Sequence, residues 1–246
     1  METGEIRIRT NLSLLMKSWI LLFSLINAAT IFAQTSNHEK VVPSRGFISK
    51  IEIFGGVTWM YPKTYFEPEE SERQFKLGNV IGGALTHSFS NRFEIKGSVC
   101  ATQKRYVNTE FNEQNPSNNL TLDLKNNYLV VSFLPRVLFG HRNHFSIGAG
   151  GYAAHLQKSK TTSIYVDLNS VISTSTSDTE DKYKKYDAGL TISVGFEVPI
   201  KQKYGINLQV VSNNGLTKVN TSAIPSVISI ERNNTIELLF GIILRR

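Results

Sequence analysis

The sequence of 246 residues contains a single cysteine, Cys100, and only seven prolines. An internal disulfide is therefore impossible, and so is a metal site built from four cysteines. Apolar residues make up only 41% of the chain, which excludes a bundle of membrane helices, since each helix needs about 20 mostly apolar residues. An aromatic content of 10% argues against disorder. The length allows one domain, or at most two small ones.

The N-terminus carries the one sustained apolar run, residues 19–33, with Lys17 before it and Ala33-Gln34 at its end. This order of charge, apolar core and small residue is typical of a secretory signal peptide. We expect residues 1–34 to be a signal peptide cleaved near Ala33-Gln34, with Met16 as an alternative start. Removing them changes the net charge from +7 to (27−3) − (20−2) = +6. The lysines and arginines are scattered, so nucleic acid is not an expected partner.

The clearest structural signal is strict alternation of apolar and polar residues over 186–198. Leu190, Ile192 and Phe196 fall on one parity, and Asp187 and Glu197 fall on the other. A period of two predicts a strand with one apolar and one polar face. The length of this strand suits a tilted crossing of a bilayer, which takes about 9–11 residues.

Seven further segments alternate less perfectly, which gives eight predicted strands. They are residues 50–59, 74–89, 93–105, 120–139, 145–156, 186–198, 204–212 and 234–244. Short turns alternate with long polar links (60–73, 106–119, 157–185 and 213–233), as in up-and-down barrels with all long loops on one rim. We predict an all-β, eight-stranded antiparallel transmembrane β-barrel over residues 47–246, preceded by a short periplasmic segment, 35–46.

Two local features qualify this prediction. Pro135 lacks the N–H needed for a ladder hydrogen bond, so a bulge or local break is expected in the fourth strand. Residues 173–177, all serine or threonine, are interpreted as a mobile loop tip.

In lipid the sheet must close, and eight strands leave an interior filled by side chains. The polar side of each strand should therefore face the lumen and form a charge ladder there, in which Lys96 and Arg136 balance the acidic residues. We expect this ladder to have a structural role, and a proton or ion path is the alternative. The ladder consists of Glu52, Glu94, Lys96, Asp187, Glu197 and Glu237. The lipid-facing set consists of Ile51, Ile53, Val57, Phe93, Ile95, Val99, Leu190, Ile192, Val194, Phe196, Ile236, Leu238, Phe240 and Ile242.

Aromatic residues cluster near the ends of the long loops. Some of them should form a girdle at the headgroup level, and an aromatic ligand cage is the alternative. The set is Trp59, Tyr61, Tyr65, Phe66, Tyr106, Phe111, Tyr152 and Tyr165.

No catalytic, cofactor-binding or metal residue is predicted. His155 with Ser159 and Ser163 is the best arrangement for lipid chemistry, but no acid stands at a helpful spacing. His141 and His144 offer only two metal ligands, whereas zinc sites use at least three protein ligands. Cys100 has inward parity and is expected to be a small buried residue. The acidic loop is expected to be a solvated face, with a divalent cation as the alternative; it contains Glu67, Glu69, Glu70 and Glu72.

Several short motifs resemble the PorT-like outer-membrane β-barrel family. They are the segments 128–135, 147–152, 186–190, 194–197, 214–217 and 233–236. The resemblance covers roughly residues 47–246 and implies an exported, eight-stranded outer-membrane barrel without enzymatic activity. One member of the family serves protein secretion and gliding machinery.

We therefore expect a monomeric protein of the bacterial outer membrane with a structural or interaction role. Its expected partners are outer-membrane lipid and unidentified proteins at the surface loops, and a link to protein secretion follows from the resemblance alone. Two other hypotheses stay open. The first is a lipid-modifying enzyme of the same shape, and the second is a soluble lipocalin-like carrier, which would require the apolar parity to face inward.

Overall fold

The computed structural model describes residues 48–61, 63–64, 71–74, 76–112, 115–140, 144–166, 172–219 and 230–245. The predicted signal peptide and the segment 35–46 lie outside the described residues. No helix in the described ranges is long and apolar enough to cross a membrane.

Eight strands form the wall of the protein, and four shorter strands lie near one rim. The wall consists of β1 (Lys50–Met60), β4 (Leu77–Ser88), β5 (Phe93–Asn112), β6 (Asn115–Phe139), β7 (His144–Val166), β9 (Tyr186–Lys201), β10 (Tyr204–Gly215) and β12 (Asn234–Arg245). The shorter strands are β2 (Lys63–Thr64), β3 (Ser71–Gln74), β8 (Ile172–Asp178) and β11 (Ile230–Arg232).

The wall closes on itself. Each of its strands pairs antiparallel with the next wall strand along the chain, and β12 pairs with β1 from Arg245 opposite Lys50 to Thr235 opposite Met60. Closure leaves no unpaired edge among the eight strands, which is what a sheet in hydrocarbon requires. The predicted eight-stranded antiparallel barrel is confirmed.

Three strands run far past the predicted strand ends. The β5–β6 ladder continues to Asn112 opposite Asn115, and β7 continues to Val166 opposite Asn119. The short strands β3 and β8 pair with β5 and β7 at this level. Together they form what we call the protruding sheet: residues 71–74, 103–112, 115–127, 158–166 and 172–178, in the order β3-β5-β6-β7-β8.

The predicted strand ends at 105, 120 and 156 are therefore wrong, because strand pairing continues into the links at 106–119 and 157–185. In particular, residues 173–177 are not a loop tip, because they pair with β7 from Tyr165 to Thr161. Their side chains are all exposed, so they add no core. Because serine and threonine are both polar, this segment has no alternation of apolar and polar residues from which a strand could be predicted.

Pro135 interrupts pairing on one side only. Its β5 partner is Ile95, and that ladder is continuous. On the other side the β6–β7 ladder runs from Phe133 opposite Gly151 to Arg136 opposite Gly148, with no pair at Pro135 and no change of register. The expected local break is thus present, while β6 continues through it. The one register shift between these two strands lies nearer the long-loop rim, between Asn127 and Tyr128 of β6.

Candidate functional site: the lumen and the outer rim

The lumen near the short turns is filled by a cluster of ion pairs. Glu94 accepts from Arg136 and lies 2.9 Å from Lys50 Nζ. The same Lys50 Nζ lies 2.9 Å from Glu197, which also accepts from Arg245 at 2.6 Å. These contacts link five strands, β1, β5, β6, β9 and β12, and leave each carboxylate with two cationic partners. Ions buried in this way need such partners because water cannot solvate them.

A second ion pair lies next to this cluster. Lys96 Nζ is 2.8 Å from Glu52 and 2.9 Å from the Gln209 side-chain oxygen. Asn207 donates to the other Glu52 oxygen at 2.9 Å, and the Lys96 ammonium lies 5.4 Å from the centre of the Phe54 ring. Both ions are almost completely buried.

The lumen towards the long loops holds a cluster around Asp187. Its carboxylate accepts from Thr217 at 2.7 Å and from Asn233 at 3.3 Å, and Lys104 Nζ lies 3.5 Å away. The Lys104 ammonium also lies 4.8 Å from the centre of the Tyr128 ring. Asp187 is 1% exposed, so its charge is balanced by protein groups alone.

Between the two clusters, Glu237 is 5% exposed and lines a cavity of about 30 Å³. The cavity is also lined by Cys100, Thr191 and Asn213. Its size allows only a few water molecules. Cys100 is buried in the apolar part of the wall, at the inward position that its parity predicts.

The outer mouth of the barrel is covered by the segment that follows β10. The Lys184 N–H donates to the Val219 carbonyl at 2.7 Å, which holds this segment against the start of β9. Val219 is 0% exposed and packs against Met60, Tyr106 and Leu124, with Tyr183 beside them. Burial raises the pKa of Tyr183 to about 12, so its hydroxyl stays neutral. An apolar layer thus closes the lumen above the Asp187 cluster.

The outer surface of the wall is apolar. Leu190 is 54% exposed, whereas Asp187 on the same strand is 1% exposed. Of the residues expected to face lipid, Ile95 and Val194 are half-buried. The others are exposed: Ile51, Ile53, Val57, Phe93, Val99, Leu190, Ile192, Phe196, Ile236, Leu238, Phe240 and Ile242. All six residues expected in the lumen ladder are buried: Glu52, Glu94, Lys96, Asp187, Glu197 and Glu237. A soluble carrier of apolar ligands requires the opposite arrangement.

The aromatic set does not behave as one group. Trp59 and Tyr165 are exposed on the outside. Tyr106 and Tyr152 are 7% and 5% exposed and point inward, so the girdle prediction is wrong for them. Tyr152 instead donates from its hydroxyl to Asp187 at 3.3 Å. Tyr61 contacts Ser212 through its hydroxyl at 3.3 Å. Tyr65, Phe66 and the side chain of Phe111 lie outside the described part of the chain.

The register shift in β7 separates the residues of the enzymatic hypothesis. The His155 ring packs on Tyr186 on the outer face, with ring centres 5.0 Å apart. Beyond the shift the parity reverses, and Ser159 is completely buried with its hydroxyl 2.8 Å from that of Thr179. Ser163 shares the parity of Ser159, so the structure does not bring His155 together with either serine.

Metal-ligating side chains do not cluster in the described ranges, where no group of three or more His, Cys, Asp and Glu residues forms a site. Of the two histidines considered as ligands, His144 begins β7, while His141 lies outside the described residues. Glu72 belongs to β3, and the rest of the acidic loop (Glu67, Glu69 and Glu70) also falls outside them.

Sequence reasoning missed three of the five cations that balance the lumen acids. Lys50 and Lys104 follow the same parity as Glu52 and Lys96 on their strands, and Arg245 has the parity of Glu237. The signal was therefore present: continuing the period-two count to the strand ends would have found all three.

Comparisons with known proteins found one family model and several solved structures that resemble this chain. A model of the outer membrane protein beta-barrel domain family matches residues 32–220. The outer membrane protein OprG from Pseudomonas aeruginosa is 11% identical, with 81% of this chain and 96% of that chain covered and a TM-score of 0.44. Ail, the attachment invasion locus protein of Yersinia pestis, is 11% identical, with 81% and 99% covered and a TM-score of 0.38. Neisserial surface protein A is 13% identical, with 80% and 97% covered and a TM-score of 0.39. A search of curated proteins found no match.

Proposed function

The chain belongs to the family of outer-membrane protein β-barrel domains and resides in the bacterial outer membrane, and we propose that it acts there as a structural or interaction protein. The observation that carries this proposal is the closed lumen. Ion pairs fill its inner half, and Val219 with its apolar neighbours covers its outer mouth. In an eight-stranded barrel of this kind the charge ladder fills and stiffens the interior instead of conducting.

The surface that we assign to interaction is the protruding sheet. It extends β5, β6 and β7 beyond the wall and ends on one side in β8, whose seven side chains are all exposed. Among the described residues β8 pairs with β7 alone, so in this part of the chain its other edge presents backbone N–H and C=O groups. Such an edge can accept an extended segment of another protein as an additional strand. The proposed partner is therefore a protein met outside the membrane.

A photo-reactive side chain at Thr176 tests this surface. Thr176 pairs with Thr162 on β7 and is exposed. In intact cells we expect cross-links from this position to a small, reproducible set of proteins. Replacing residues 163–175 by Asn-Gly, a favoured two-residue hairpin turn, should abolish them while the barrel remains folded.

The matched control carries the same probe at Leu208, an exposed position on the membrane-spanning part of β10. It should label lipid and not protein. Identical protein adducts from the two positions, or adducts that persist after the hairpin is shortened, would argue against the protruding sheet as the contact surface. Steady conductance of the purified barrel in a planar bilayer would contradict the closed lumen.

We also propose the finer assignment to the PorT-like family, with a role alongside a protein-secretion assembly. It is supported by the resemblance of segments 128–135 and 147–152, which lie next to each other on β6 and β7. Deletion of the gene should then reduce the amount of secreted protein in the medium, and the complete chain should restore it. Unchanged secretion after deletion would remove this finer proposal and leave the structural or interaction role untouched.

A further inference from the structure

One side of the outer wall carries a group of positively charged side chains just above the apolar surface. They lie on β5, β6, β7 and immediately before β4, and we call them the outer basic cluster. Its members are Lys76, Arg105, Lys125, Lys158 and Lys160.

The strand register places these residues side by side on the outer face. Arg105 is the ladder partner of Lys125, which is in turn the partner of Lys160. Three cations thus form one row across three adjacent strands, and Lys158 lies in the next row towards the membrane. Residues directly opposite each other have Cβ atoms about 4.5–5.5 Å apart, and like charges at that distance repel. The row therefore requires anions close by.

Among the described residues, the contacts and ladder pairs place two carboxylates beside the cluster. Asp123 accepts from Arg105 Nε at 2.9 Å, and Lys125 Nζ and Lys76 Nζ lie 3.9 and 4.0 Å from its carboxylate. Partial burial disfavours the ionised form of Asp123, but its hydrogen bonds to Arg105 and the charges of Arg105, Lys125 and Lys76 together outweigh burial and lower the pKa. Asp178 stands opposite Lys160 across the β7–β8 ladder. Five cations against these two carboxylates leave an excess of three positive charges.

The height of the cluster matches the headgroup layer. Leu129 is the last exposed apolar residue of β6, and Lys125 lies four residues beyond it. At about 3.3 Å per residue and a strand tilt of about 40°, the height difference is about 10 Å. Headgroups occupy about 5–8 Å beyond the hydrocarbon on each side, and lysine side chains can reach several ångströms down towards them.

We propose that the outer basic cluster binds the phosphate groups of the anionic glycolipid in the outer leaflet, which lies against this side of the barrel. The charge excess and its place above the apolar belt both favour a lipid phosphate. This inference does not depend on the proposed role of the protruding sheet.

The test compares the complete barrel with the triple variant K125Q/K158Q/K160Q, which keeps the pair of Arg105 and Asp123. Detergent-solubilised protein is titrated with bis-phosphorylated lipid A, and bound lipid is counted by native mass spectrometry. Each basic side chain near an anionic lipid surface strengthens binding about fivefold, so the triple variant should bind about a hundredfold more weakly. Binding should also weaken with added salt.

The control variant R92Q/K201Q/K203Q removes the same number of charges from exposed positions at the short turns and should bind as the unmodified protein does. Dephosphorylated lipid A should bind far more weakly than the phosphorylated form.

Equal binding of the two lipids, or equal losses in both variants, would overturn the proposal. Inorganic phosphate that competes at millimolar concentration would show a site for free anions instead of lipid. If the triple variant does not fold, K125Q and K158Q are measured singly, and unchanged affinity in both overturns the proposal.

Discussion

Replacing Val194 by arginine tests the orientation of the whole barrel. Val194 is an outward-facing residue of β9, between the exposed Ile192 and Phe196. If this face meets acyl chains, the new guanidinium lies in hydrocarbon, where water cannot solvate it. The matched change is Ile200→Arg near the end of the same strand, where the side chain is 59% exposed.

The expected cost follows from the position along the strand. The outward residues from Leu190 to Ile200 span about 33 Å at 3.3 Å per residue, or about 25 Å along the barrel axis at a tilt of 40°. This height equals the apolar band of outer-membrane barrels, and Val194 lies about 10 Å from its upper end, close to the middle. Arginine should cost about 2–4 kcal/mol at Val194 and about 0–1 kcal/mol at Ile200. The first range corresponds to roughly a 30- to 700-fold loss in the folding equilibrium.

The assay is reversible unfolding by denaturant of each variant in phospholipid vesicles, with the folded fraction read from the heat-modifiable band on a gel. The unfolding free energy should fall in the order unmodified, Ile200→Arg, Val194→Arg. Equal losses for the two arginine variants, or no loss for Val194→Arg, would refute the assignment of this face to lipid.

Two further predictions concern the lumen. Arg136→Met should destabilise the barrel by about 3–5 kcal/mol because Glu94 loses its closest cation while buried, and Glu94→Gln in the same chain should restore part of the loss. A double variant no more stable than Arg136→Met, in the same unfolding assay, would contradict this coupling. Gly241→Ala should cost about 1–3 kcal/mol, since the added methyl would meet the Glu52 carboxylate held by its ion pair. The control is Gly55→Ala, whose added methyl would have its nearest neighbour at 3.6 Å. Equal melting temperatures for the two variants would contradict this prediction, because they would show that the Glu52 side chain moves aside at no cost in stability.

Much of the wall could be predicted because alternation is a local property of a pleated strand. In β9, Leu190 and Phe196 must face away from Asp187 and Glu197 whatever surrounds them. The predicted strand ends were least accurate where the alternation of apolar and polar residues becomes weak. In β5 the alternation of exposed apolar with buried polar residues stops near Gln103, yet the strand continues to Asn112. Backbone hydrogen bonds to β6 hold this part of β5 in a strand. The sequence of β5 alone does not indicate that such a partner strand is present.

The enzymatic hypothesis shows a second limit. His155 and Ser159 are four residues apart, and unbroken alternation would place them on one face. The register shift at Asn127 and Tyr128 adds one residue to β7 and turns the serine inward. A shift of this kind depends on how two strands fit together, so it cannot be read from the spacing of residues in either strand.

The sequence by itself determined that there are eight wall strands, that they are antiparallel, and which side chains share a face, because each follows from a period of two and from the lengths of the links. Only the tertiary structure decided which charges meet. Lys50 pairs with Glu197, 147 residues away, because closure brings their strands to facing positions across a narrow lumen. The cover formed by Val219 has the same origin, since Val219 meets Met60, Tyr106 and Leu124 across the mouth of the closed barrel. The row of Arg105, Lys125 and Lys160 depends instead on the register between consecutive strands.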